Sequence, residues 1–225
     1  MKNLNEILFI VQARVNSERA PKKMIRPFAG TNLFDIALKK IKKTKIPLEN
    51  FRASIYEQEL IDICEDNDLL YYKRSKESAN NDNSLQKIYE WHDKLPFKYV
   101  VKINGCSPLL KTETIDGFVK QFVEQEEENL FGVIETKDYY WNKDGKLVTP
   151  WPEDQTIMNT KAVEVTYKAA HTLYASRMDL IKRNMFMGDF QKEGGIKLYP
   201  MDELECFDID YEWQFKLGEE LYESV

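Results

Sequence analysis

The chain of 225 residues predicts an α/β fold, a parallel sheet covered by helices. Two observations carry this. Up to Leu130, β-rich apolar runs alternate with segments of helical period, the βαβα order that builds such sheets. The clearest runs are Ile7–Val11 (ILFIV), apolar throughout as strands buried on both faces are, and the β-rich Lys98–Asn104 (KYVVKIN).

Taken in order, Ile7–Val11 is the first strand. Thr31–Lys43 follows as a helix, with Leu33, Phe34, Ala37, Leu38 and Ile41 at helical spacing and Thr31 as N-cap after Gly30. Phe51–Tyr56 reads as a strand, Glu57–Asp66 as a short helix and Leu69–Tyr72 as a strand. The polar run Ser75–Ser84 reads as a loop, Ser84–Leu95 as a helix and Lys98–Asn104 as a strand. Lys111–Glu128 is a long amphipathic helix, with Ile115, Phe118, Val119, Phe122 and Val123 on one stripe. After Leu130 the pattern changes. LFGVIET is strand-like, and YYWNKDGKLVTPW reads as a β-hairpin turning at Asp144-Gly145. Such an excursion, at about 131–170, is either a dimerisation arm or an edge hairpin on the parent sheet. As an arm, it would expose Tyr139, Tyr140, Trp141 and Trp151 to a partner surface. His171–Ala175 reads as a strand, with a short helix from Ser176. Ile196–Tyr199 is a further strand, and Tyr211–Glu223 is the last helix.

Composition bounds the function. With 43% hydrophobic residues the chain can form one ample domain over 1–225, and no low-complexity linker divides it. The formal net charge of -6 argues against nucleic acid or an anionic membrane as a partner. The longest apolar runs fall far short of the roughly 20 residues of a transmembrane helix. No secretory h-region opens the chain. Three scattered cysteines (Cys64, Cys106, Cys206) fit no zinc spacing, so a reduced, cytoplasmic protein is expected.

Three segments could carry chemistry. The loop after the first strand holds Arg14, Arg19, Lys22 and Lys23, with Pro21 to stiffen it. It is either a solvated face or a phosphate site at a strand's carboxyl end, where α/β sheets bind ligands. It has no Walker glycine pattern, so a P-loop is excluded. In Phe207-Asp208-Ile209-Asp210, alternation puts both carboxylates on one face. Such a pair suits Mg²⁺ when phosphates and waters complete its shell. Asp210 stands equally where an N-cap of the last helix belongs. The third segment, Asn104–Leu109, is a turn or a nucleotide contact at the same sheet edge.

Together QARxNSxRxPxKM (Gln12–Met24), RPFAGTNLFDIAL (Arg26–Leu38), KYVVKINGCSPLL (Lys98–Leu110) and DIDYEWQF (Asp208–Phe215) resemble the acylneuraminate cytidylyltransferases. The first segment also resembles the spore-coat-polysaccharide cytidylyltransferases and, more distantly, the ketodeoxyoctonate enzymes. The resemblance implies a nucleotide-diphospho-sugar-transferase-like three-layer α/β/α sandwich and a homodimer built with an inserted β arm. It implies transfer of CMP from CTP to an acidic sugar, with release of pyrophosphate. By this resemblance Arg14, Ser17 and Lys23 match positions that hold the CTP phosphates, and Arg19 matches the basic position of the spore-coat-type loop. Arg74 and Ser84 bracket the nucleotide segment, and Asn104 stands where a Gln faces the nucleotide. Asp208 and Asp210 match the Mg²⁺ ligands and, with Lys23, are the catalytic candidates. The chain departs from the family on the acceptor side. Leu110 replaces an Arg, Lys168 takes a basic position, and His171 replaces a small Gly. Lys168 and His171 are the acceptor-binding candidates. A non-catalytic nucleotide-binding homologue, or an enzyme using another NTP or a non-sugar acceptor, are the competing expectations.

Overall fold

The computed structural model describes residues 1–224; Val225, the last residue of the expected domain, lies outside the described residues. The strands are β1 (Ile7–Gln12), β2 (Phe51–Ile55), β3 (Tyr71–Lys73), β4 (Tyr99–Ile103), β5 (Leu130–Thr136), β6 (Thr166–Arg177) and β7 (Leu198–Met201). The helices are α1 (Leu33–Lys43), α2 (Gln58–Asp66), α3 (Lys76–Asn80), α4 (Leu85–Ile88), α5 (Thr112–Glu124), α6 (Asp179–Lys182) and α7 (Glu212–Glu223). They build one seven-stranded sheet of order β3-β2-β1-β4-β6-β5-β7. β6 alone runs against its neighbours, while β1 pairs in parallel with both β2 and β4. The mostly parallel α/β architecture expected from the sequence is therefore observed.

The apolar run of β1 is explained by its two buried faces. Ile7, Phe9 and Val11 join the larger core with Phe34, Leu38, Ile115, Phe118 and Phe122. Leu8 and Ile10 turn the other way, onto Val100, Trp91, Met178 and Ile181. Each such side chain contributes about 1.5–3 kcal/mol by leaving water.

Several boundaries moved for identifiable reasons. Asn32, not Thr31, caps α1: its side chain accepts from Asp35 N–H at 2.8 Å, while the Thr31 hydroxyl donates to the Asp35 carboxylate. The expected helix through Glu128 stops at Glu124, where an acidic run meets the negative end of the helix dipole. The polar run Ser75–Ser84 contains a short helix, α3, because Ser75 caps it through Ser78 N–H. The helix expected over Ser84–Leu95 breaks at Tyr89 (φ -110°, ψ 44°), which lets Trp91 drop fully into the core.

The excursion is narrower than the 131–170 expected. Residues 131–136 and 166–170 belong to the central sheet, so the chain leaves it only over 137–165. The hairpin there is reduced to a single bridge, Trp141 to Leu147, around Gly145 at φ +78°. Tyr139 is buried against Trp151, with ring centroids 5.3 Å apart; Tyr140, Trp141 and Trp151 remain exposed. Among the described residues no helix is long and apolar enough to cross a membrane.

Candidate functional site

The strand order reverses between β1 and β4, and a cleft of about 370 Å³ opens beside their carboxyl ends. That is where open α/β sheets hold ligands. Two loops meet there because Gly105 lets them. A Cβ at Gly105 would stand 3.1 Å from Val11 Cγ1 and 3.3 Å from Met24 Cε.

The loop after β1 forms one wall. Around Pro21, Lys22 takes φ +55° and the Lys23 N–H donates to Ala20 O, which turns Lys23 inward. Lys23 is 9% exposed. Its ammonium donates to Ile209 O and, at 3.0 Å, to Asp210 Oδ1. Burial alone would depress its pKa, but Cys106, Asp210 and Asp208 hold it above the usual lysine value. Arg19 reaches the other oxygen of Asp210 at 2.7 Å and lies over the Tyr211 ring. Arg14 pairs with Asp82 at 2.9 Å, and Ser17 Oγ accepts from Ala20 N–H at 3.4 Å. Arg74, 3% exposed, donates to Ala13 O at 2.6 Å, and burial lowers its pKa to about 10. Arg14, Ser17, Arg19, Lys23, Arg74 and Asp210 all line the cleft.

The segment before α7 is not a strand, yet it alternates as expected: Ile209 is fully buried, while Asp208 and Asp210 are half-buried. Ile209 N–H donates to Cys106 O at 3.0 Å, which ties this segment to the loop after β4. The N-cap alternative for Asp210 is not what is observed. Gln214 Oε1 accepts from both the Asp210 and Tyr211 N–H groups at 2.8 Å, leaving the Asp210 carboxylate to Lys23 and Arg19.

Asp208 Oδ1 is buried without a hydrogen-bond partner. Burial raises the Asp208 pKa most, and the Asp210 charge adds to it. A buried carboxylate oxygen with no partner is costly unless a cation answers it. Two neighbouring carboxylates are a hard oxygen donor set, and one or two suffice for Mg²⁺ that also takes phosphate oxygens. Among the described residues no three His, Cys, Asp or Glu side chains make an all-protein metal cage. The residues present therefore fit a shared site with phosphates.

The other candidates stand differently. Asn104 lies at the end of β4, but its amide donates to His171 O and accepts from Cys106 N–H, so it braces the loop. Ser84 caps α4 through Lys87 N–H and does not line the cleft. Lys168 is exposed and pairs with Glu203 at 3.5 Å, also off the cleft. His171 is exposed at φ +56°, where the β5–β6 register slips, and its Nδ1 lies 3.2 Å from the Tyr174 hydroxyl. Leu110 is in the core. Sequence reasoning missed Lys102, which lines the cleft, and Asp82. Lys102 had a signal: it is the one charge inside the buried run YVVKI.

The family model for cytidylyltransferases matches residues 8–224. The chain is 23% identical over 129 residues to the spore coat polysaccharide biosynthesis protein SpsF of Bacillus subtilis, covering 54% of this chain and 52% of that protein. It thus spans about half the length of the curated relative it matches. Two solved structures share the fold. A CMP:2-keto-3-deoxy-manno-octonic acid synthetase complexed with CTP superposes with TM-score 0.69 at 10% identity, covering 97% of this chain and 99% of that one. A 4-diphosphocytidyl-2C-methyl-D-erythritol synthase of Anaerococcus prevotii gives 0.67 at 15% identity, covering 96% of each.

Proposed function

This chain belongs to the cytidylyltransferase family, and from that premise we propose that it transfers CMP from CTP to an acidic acceptor of the sugar-acid class, releasing pyrophosphate. The observation that carries the reading is the convergence of Arg19, Lys23 and Asp210 in one cleft, with the unpartnered oxygen of Asp208 two residues before Asp210.

In the reaction an acceptor hydroxyl attacks the α-phosphorus of CTP in line. The bond from that phosphorus to the bridging oxygen breaks, pyrophosphate leaves, and the hydroxyl proton passes to solvent. Lys23 and Arg19 would exchange their Asp210 partner for triphosphate oxygens, an exchange that costs little because each cation keeps an anion. Arg14 sits at the cleft mouth and would add a bidentate contact on release from Asp82. Together the three cations would neutralise the charge that gathers on the departing pyrophosphate. Arg74 fixes the Ala13 carbonyl and so shapes the backbone against which the nucleotide lies. Asp208 and Asp210 would hold Mg²⁺, which when bound supplies Lewis-acid polarisation of the phosphate oxygens. Catalysis here is positioning and electrostatics, as in phosphoryl transfer generally.

The reading extends to assembly. The excursion over 137–165 exposes Trp141, Trp151, Ile157 and Met158, a patch that suits burial against a second copy in a homodimer. A cytoplasmic setting and surface-glycan synthesis complete the proposal. The test is pyrophosphate release with each of the four NTPs, Mg²⁺ and a panel of sugar acids. Release with CTP and an acid supports the reading; release with no pair, or with another NTP in preference, overturns it.

A further inference from the structure

The cations of the cleft have partners, with one exception. Arg14 pairs with Asp82, Arg19 and Lys23 pair with Asp210, and Arg74 donates to Ala13 O. Lys102 lines the same cleft, yet among the described residues its ammonium has neither a carboxylate nor a hydrogen-bond partner. It is half-buried in a central strand whose other members, Tyr99, Val100, Val101 and Ile103, are buried. The ammonium acts on Asp208 through its charge but makes no direct ion pair, and a half-buried cation so placed favours an anionic ligand.

The neighbours say which ligand. Lys102 Nζ lies 5.2 Å from the ring of Tyr174, its register partner on β6. Tyr174 in turn meets His171. Lys102 thus meets the β6 side of the cleft that the β1-loop cations also line. Lys111 and Lys168, both exposed, do not line the cleft and pair with Glu205 and Glu203. Leu110, where the family resemblance implies an Arg, is 2% exposed.

We propose that Lys102, with His171 and Tyr174 beside it, forms the anion subsite for the acceptor, taking a carboxylate or phosphate oxygen next to Asp208. This rests on the nucleotidyl-transfer reading. It moves acceptor recognition from Lys168 to the floor of the cleft.

Calorimetry on the full chain tests it. One titration measures CTP with Mg²⁺. The others use protein loaded with Mg²⁺ and α,β-methylene-CTP, which cannot release pyrophosphate. The probes are N-acetylneuraminic acid for a carboxylate and 2-C-methyl-D-erythritol 4-phosphate for a phosphate; the one that binds identifies the source of the anion. Lys102→Met is expected to weaken that probe by about 10- to 100-fold while CTP changes by less than about threefold. Lys102→Arg should recover most of the loss, and the retained CTP affinity reports an intact fold. Equal probe affinity in wild type and Lys102→Met overturns the subsite. So does a CTP affinity that falls as far as the probe's, or a wild type that holds CTP and neither probe. A wild type that does not hold CTP overturns the transfer reading itself and the subsite with it.

Discussion

The two walls of the cleft are built differently. On the β1 side, charges are paired and two of them are buried: Lys23 shares Asp210 with the exposed Arg19, and Arg74 is buried against Ala13 O. On the β6 side the ladder slips, His171 sits at positive φ, and Lys102 lies over the Tyr174 ring with neither a carboxylate nor a hydrogen-bond partner among the described residues. The first wall is set before any ligand arrives, and suits a group that does not vary, a triphosphate. The second is open and loosely tied, and suits the group that differs among relatives.

The largest effects are therefore expected on the first wall. Asp210→Asn should lower kcat by about 100- to 1000-fold, because the carboxylate charge beside Lys23 and Arg19 is lost. Steady-state pyrophosphate release reads this. His171→Ala should instead act on the acceptor KM, by about tenfold or less. A larger fall in kcat for His171→Ala than for Asp210→Asn would invert the comparison.

A middle effect lies on the seam between the walls. Lys40, half-buried against the loop after β4, donates to Ser107 O and Pro108 O at 3.0 Å. Burial pushes its pKa down to about 7, and Glu205 opposes the shift. Between about 7 and the ordinary 10.5 the unfolded chain binds the Lys40 proton and the folded chain does not. The contribution of this group to stability therefore rises with pH across that window, and it is at its lowest once pH has fallen below the folded-state pKa. Urea unfolding followed from about pH 6 to about pH 10 should show the rise. Lys40→Met should flatten it. An unchanged slope in Lys40→Met would remove Lys40 as the cause.

The smallest effect sharpens the second wall. His171→Gly relieves a positive φ at the register slip and should leave stability unchanged or raise it by about 1 kcal/mol. A clear loss would mean that the His171–Tyr174 contact outweighs the backbone strain.

What was legible in the sequence follows the same division. The strand β1, its basic loop and Asp208-Ile209-Asp210 could be read because they depend on local pattern: an apolar run, clustered cations, two-residue alternation. The long-range pairings that give them meaning could not. Nothing local says that Arg19 and Lys23 meet Asp210 from the far end of the chain, or that the Asn104 amide is spent on His171 O. Lys102 was hidden for a related reason. A single charge in a buried strand becomes informative only when its neighbours on β6 are known. In the excursion the Asp144-Gly145 signal does turn the chain, but the hairpin around it carries a single bridge. The outer ends of the excursion are held by the central sheet.

The central claim is that the β1 wall holds the triphosphate of CTP. Calorimetric titration of Mg²⁺ and CTP into wild type and into Lys23→Met tests it most directly. The account predicts CTP binding in wild type, preferred over UTP, ATP and GTP, and weakened about 10- to 100-fold in Lys23→Met. Equal CTP affinity in the two proteins, or no CTP binding by wild type, would contradict it.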